Sequence, residues 1–351
     1  MLAIDCSNRQ GRTMLHPASA AALRDPEWLA HRYDSNHDAF HFRRVPRDIR
    51  REIPFLTDMH LGEEAAPLVL SRTASRQNVE PAPVHFLFHS AYCASTMLVQ
   101  AIDQPGIASG LSEPVLLNDM VGWRRRGAAP RDHARVMDDA LAMLARPLTA
   151  GEAVIIKPSN IFNPLARGAL TLRPGAHAIL LYAPLRAFLL SVARKGLWCR
   201  LWCRELFEGY LADDFLQFGF DARDYFRQSD LQIAAIGWLA QQRAFATLIA
   251  WAPGRIAALD SEALTRDPVR AVAGAMDHYG LTADREALAD HPALARNSKS
   301  GAPFAAGERQ RDLAAADAAY GDEINQVLGW AEAVADQAGI PLVLPGALPM
   351  P

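Results

Sequence analysis

The residues best suited to chemistry lie in Val84 to Leu98, VHFLFHSAYCASTML. Val84 to Phe88 is a short, mainly apolar run, the length of one buried strand. It stops at the small and polar residues His89, Ser90, Ala91, Tyr92, Cys93, Ala94, Ser95 and Thr96, after which Met97, Leu98, Val99 and Ile102 take up helical spacing. A strand, a tight turn and a helix opened by Ser-Thr present backbone N–H groups to a phosphate or sulfate. The turn carries no glycine and no Gly-Lys-Ser/Thr, so it is not a Walker A loop. On these residues alone a capped helix without a ligand is an equal alternative. Lys157 is the second candidate. It closes the apolar run Ala153 to Ile156, and a lysine at the end of a buried strand is unusual for a purely structural residue. Glu113 closes another short run, where a carboxylate also suits capping of the next helix.

These positions need a sheet to hold them. From Val84 onward strands and helices alternate. Further strands are predicted in Gly106 to Pro114, Ala153 to Ile156, Ala178 to Leu181 and Ile256 to Leu259. Helices are predicted over Asp132 to Leu144, from Pro184 through Ser191, over Leu201 to Leu216 and Leu231 to Trp251, and from Asp267-Pro268 to Tyr279, with Gly280 as a cap. The predicted class is α/β, a mostly parallel central sheet with helices on both faces. Ligands bind beyond the carboxyl ends of such strands. That rule singles out His89 to Thr96, Glu113, Lys157 to Asn160 and the start of the Pro184 helix. Residues 1–80 read as an N-terminal extension packing on the core, and 81–351 as the α/β domain. RTASRQNVEPAP reads as a linker, WRRRGAAPRD as an exposed basic loop and PLVLPGALPMP as an extended tail.

The totals set bounds. The chain has 351 residues, half of them apolar, and a net charge of −3. That is ordinary for a globular protein and gives no reason to expect a nucleic-acid partner. No apolar run reaches spanning length, and MLAIDCSNRQGR lacks a secretory core, so a cytoplasmic setting is expected. The four cysteines fit no disulfide framework. Cys199 and Cys203 stand four apart, as neighbours on one helix face, where packing is the expected role. His31, His37 and His41 match no metal spacing and read as scattered surface residues.

Beside this reading, the chain resembles the sulfotransferases that use 3′-phosphoadenylylsulfate (PAPS) on a P-loop NTPase-like α/β fold. The resemblance covers roughly residues 84 to 335 by motif order. HSAYCASTML is similar to the family's 5′-phosphosulfate loop, Lys/Arg-Ser-Gly-Thr-Thr, with Cys93, Ala94, Ser95 and Thr96 on its last four positions. VIIKPSN resembles the strand that ends in a phosphosulfate-contacting lysine, here Lys157. LLYAPLRAFLLSVARKG resembles the 3′-phosphate segment, Arg-x-Pro and then a serine, here Pro184 and Ser191. LDSEALTRDPVRAV…HYGL resembles a late strand–helix unit. The chain departs at Tyr92, in the place of the loop's cation, at Ala94 for glycine, at Tyr182 for the 3′-phosphate arginine, and at Ser159, near a common histidine base. Candidate replacements for the cations are Arg186, Arg194 and Lys195, and Lys299 with Arg296 in a late basic loop.

The resemblance implies transfer of a sulfuryl group from PAPS to a hydroxyl or amine of a small-molecule or peptide acceptor. Adenosine 3′,5′-bisphosphate is the implied product, and no metal is implied. It assigns loop N–H groups and the Ser95 and Thr96 hydroxyls to the 5′-phosphate, Lys157 to the transferring group, Ser191 to the 3′-phosphate and Glu113 to the base, with His89 as the alternative base. The rival reading is a sulfotransferase fold that has lost its chemistry and serves as a binding or scaffold protein. A P-loop kinase or NTPase ranks last, for want of a Walker lysine. The oligomeric state is left open.

Overall fold

The computed structural model describes residues 6–7, 13–14, 17–62, 66–77, 79–296 and 307–350. The fold is α/β. Strands β1 (Trp28–Asp34), β2 (Ala39–Arg44) and β3 (Leu68–Ser71) form an antiparallel sheet. Strands β4 (Val84–His89), β5 (Ala108–Ser112), β6 (Ala153–Lys157), β7 (Ala178–Tyr182) and β8 (Ile256–Asp260) form a second, in the order β8-β7-β4-β6-β5. β7 with β8, β4 with β6, and β5 with β6 pair in parallel. β4, β6 and β7 are buried at every position and apolar almost throughout, as strands covered on both faces must be. β4 is the central strand, and the order reverses around it. The turn leaving β4 is therefore the switch point of the topology, where such sheets take ligands.

Helices flank this sheet. Those that matter below are α1 (Ser95–Ile102), α2 (Val115–Arg125), α3 (Pro130–Leu144), α4 (Leu185–Arg194), α5 (Leu197–Ala212), α6 (Asp230–Trp251) and α7 (Glu308–Ala338). α6 starts with a capping box between Ser229 and Gln232 and buries residues all round, which marks a core helix. α7 stops at Gly339, whose φ of +63° is open to glycine and strained for other residues. Among the described residues no helix is long and apolar enough to cross a membrane.

Two compact units divide the chain within β4, Met1–Phe86 with Ile102–Ala176, and Leu87–Ala101 with His177–Pro351. In the first, Arg47 donates to Glu152 at 2.6 Å, and Glu152 also accepts from the Gly106 N–H at 2.7 Å. Arg146 donates to the carbonyls of Leu23, Asp25 and Trp28 at 2.7–2.8 Å. In the second, the tail pairs with β8, through Ala258 N–H to Gly346 O at 2.8 Å and Leu348 N–H to Ala258 O at 2.7 Å. The tail is thus extended and covers a strand edge, a position that would otherwise be open to pairing.

Several expectations need correcting. The segment read as a linker begins with a helix, Arg72–Gln77, because Arg72 binds Asp38 at 2.7 and 3.0 Å and also pairs with Asp139. The basic loop is mostly helix. Trp123, Arg124 and Arg125 finish α2, where cations suit the helix dipole, and Pro130 opens α3. The helix expected from Leu201 starts four residues earlier, at Leu197. β1 and β3 were not foreseen. Alternation in β1 is broken by a register shift between Ala30 and Arg32. His31 is buried, with Nε2 2.6 Å from Asp58, whereas His37 is a surface residue beside Asp34.

Candidate functional site

The second unit holds the turn after β4. Ser90 fixes its start: its N–H donates to Leu181 O at 3.1 Å, and its hydroxyl accepts from the Ala183 N–H at 3.2 Å. His89, 4 % exposed, accepts the Ala91 N–H on Nδ1 at 3.1 Å. That bond engages the Nδ1 lone pair and makes His89 a brace of the turn. Ala91, Tyr92 and Ala94 have φ values of +70°, +51° and +64°. None is glycine, so each carries a left-handed cost of roughly 1–2 kcal/mol. Turns that mix right- and left-handed residues can point successive backbone N–H groups into a nest, a concavity suited to anions. Ser95 and Thr96, both buried, then open α1. Cys93 is buried as well.

Tyr92 points to helices of the same unit. Its hydroxyl lies 2.9 Å from Cys199 Sγ, and its ring meets Trp202 edge-on at 5.8 Å and Phe188 at 6.1 Å. Burial first, and then the Cys199 contact, hold the phenol far above its ordinary pKa, so it stays neutral. The Cys203 thiol is also pushed up, by its contact with Cys199 first and then by burial.

The other predicted cofactor residues of this unit lie elsewhere. Arg186 binds Asp317 at 2.5 Å and Asn325 at 2.8 Å, and Arg194 pairs with Asp312 at 2.8 Å, all on α7. The Ser191 hydroxyl donates to Ala187 O at 2.8 Å within its own helix. Tyr182 is buried and pairs in register with Asp260. Lys299 lies outside the described residues.

The first unit holds the ion pair. Lys157 is 0 % exposed, and its Nζ donates to Glu113 Oε1 at 2.5 Å and to Ser112 Oγ at 3.5 Å. Parallel pairing of β5 and β6 aligns Ser112 with Lys157, and the Glu113 N–H donates to Lys157 O at 2.7 Å. Glu113 sits at φ +49° just before Pro114, a strained conformation that aims its side chain back at the lysine. Phe55 covers the ammonium at 4.9 Å. The Phe55 segment is fixed by Ser112 Oγ to Pro54 O at 2.7 Å, Leu56 N–H to Ser112 O at 2.8 Å and Val115 N–H to Leu56 O at 3.1 Å. Sequence reading missed Phe55. Its one signal was IPFL, an apolar run inside a charged stretch.

The fold thus brings Lys157 and Glu113 together, and separately His89 through Thr96. The pair offers a carboxylate able to accept a proton beside a cation able to stabilise oxyanion charge. Among the described residues no three His, Cys, Asp or Glu side chains converge as metal ligands.

No family model and no curated protein matches the sequence. Solved structures do overlap with it, two sulfotransferase domains among them. The sulfotransferase domain of the Synechococcus PCC 7002 olefin synthase is 14% identical, over 69% of this chain and 96% of that one, with a TM-score of 0.38. The sulfotransferase domain from the curacin biosynthetic pathway is 11% identical, over 76% of this chain and 100% of that one, with a TM-score of 0.41. Overlap this low carries no functional argument, so any functional reading rests on the chain's own turn and ion pair.

Proposed function

We propose that this chain is a sulfotransferase that takes the sulfuryl group from PAPS and delivers it to a hydroxyl or amine. The observation that carries the reading is the turn after β4, which holds three left-handed residues without a glycine between a buried strand and a Ser-Thr helix start. A backbone strained at three positions without a ligand role is hard to account for. The residues fit the 5′ end of PAPS: a turn leading into a helix start, with the buried Ser95 and Thr96 hydroxyls, suits phosphate oxygens. At the 3′ end the Ser191 hydroxyl is engaged in its helix, which leaves it only its lone pairs.

When bound, PAPS supplies a sulfuryl group already activated by attachment to phosphate. In this reading the turn from Ala91 to Thr96 holds the 5′-phosphate in place. Lys157 Nζ stabilises negative charge as the S–O bond to the phosphate breaks. Glu113 Oε accepts the proton of the acceptor hydroxyl or amine as its oxygen or nitrogen bonds to sulfur. Glu113 Oε1 lies 2.5 Å from the Lys157 ammonium, so base and cation stand side by side. Burial of Lys157 keeps water away from that charge.

The test is calorimetric titration of the full chain with adenosine 3′,5′-bisphosphate. Saturable binding that weakens at least tenfold in Thr96→Val supports the reading, and no binding at millimolar ligand rules it out. One observation favours the rival scaffold reading: Tyr92, held neutral, stands where the loop's cation is expected. Tight binding of the bisphosphate with no sulfuryl transfer to any of a panel of phenols, alcohols and amines would favour that rival.

A further inference from the structure

We infer that Lys195 is the cation of the turn after β4, carried there by the end of α4 instead of by the turn itself. The inference rests on the anion-binding reading proposed above. A neutral phenol cannot meet an anion's charge, and Tyr92 is kept neutral. Its ring can still hold a cation, because an aromatic face carries partial negative charge and attracts an ammonium within about 6 Å. Lys195 Nζ lies 5.4 Å from the Tyr92 ring centroid.

The ring is a fixed seat. Its hydroxyl is held by Cys199, its edge by Trp202, and Phe188 packs alongside. Phe188 lies on α4, and Cys199 and Trp202 lie on α5. Lys195 is the C-cap of α4, and Gly196, at φ +72°, turns the chain straight into α5. One helix–turn–helix segment therefore grips Tyr92 and lays Lys195 on it. Arg186 pairs with Asp317 and Asn325, and Arg194 with Asp312, all on α7.

The test titrates inorganic pyrophosphate and adenosine 3′,5′-bisphosphate into the full chain by calorimetry. Lys195→Met is expected to weaken both ligands at least tenfold, Lys195→Arg to bring both back within threefold, and Tyr92→Leu, which removes the seat, to weaken both. Near-UV circular dichroism of each variant confirms that the aromatic packing persists. Undiminished binding of both ligands by Lys195→Met would overturn this assignment and leave the anion-binding turn standing. Failure of the unaltered chain to bind either ligand at millimolar concentration would remove the turn reading, and Lys195 with it.

Discussion

Lys157 and Glu113 show what a buried pair demands. With the lysine wholly enclosed and its carboxylate 2.5 Å away, removing either partner strands a charge in a poorly solvated place. Lys157→Met is expected to lower unfolding stability by about 3–5 kcal/mol in urea titrations, and Glu113→Gln/Lys157→Met to recover part of that loss, since no lone charge remains. Additive losses would mean that the two groups are energetically independent. Catalysis gives a separate expectation. Glu113→Gln should leave bisphosphate affinity within threefold while lowering turnover at least a hundredfold, the scale of a lost general base. Unchanged turnover would take the base role from Glu113. The residue types were legible here, because a lysine and a glutamate at strand ends are conspicuous. Their partnership was not, since nothing local joins positions so far apart in the chain. Phe55 was missed for the same reason.

At the scale of elements, the turn after β4 and the loop entering β5 each store a cost that can be measured. Ala94 holds φ +64°, where its Cβ is disfavoured and glycine is not. Ala94→Gly should therefore raise stability by about 1 kcal/mol, read from the urea midpoint, and a loss of stability would argue against the left-handed turn. Asp103, 3 % exposed, follows α1. Burial raises its pKa to about 6 and outweighs Arg47 and Arg51, whose guanidinium nitrogens lie 3.5 and 3.7 Å away. The sign follows from proton counts. Between about pH 4, the ordinary value, and pH 6 the folded chain holds the extra proton, so this group makes stability fall as pH rises through that window. Above it the cost is about 3 kcal/mol. Asp103→Asn should flatten the decline between pH 4 and 6 in thermal melts, and an unchanged slope would exclude Asp103 as its source. Periodicity located most of these elements. It misplaced the start of α5 because Gly196 reads as a turn residue while Leu197 and Trp198, both largely exposed, break the apolar pattern.

For the whole molecule, one consequence concerns the tail. Gly346 and Leu348 pair with Ala258 on β8 and cover that edge strand. Truncation after Pro345 should lower the melting temperature and promote aggregation in light scattering, because the uncovered edge can pair with another chain. An unaltered melt would show that the tail adds nothing to stability. The sequence by itself determined the α/β class, the strand–turn–helix step at His89 to Thr96, and Lys157 and Glu113 as strand-end residues. All of these follow from periods and punctuation read within one stretch of chain. Only the tertiary structure decided that Lys157 faces Glu113 under Phe55, that Tyr92 is anchored on Cys199, and that Lys195 lies on its ring. Those contacts depend on which strands become neighbours and how helices pack, and burial makes that choice over the whole chain at once. The turn could be recognised from its own residues, whereas the lysine on its tyrosine ring had to be found in the fold.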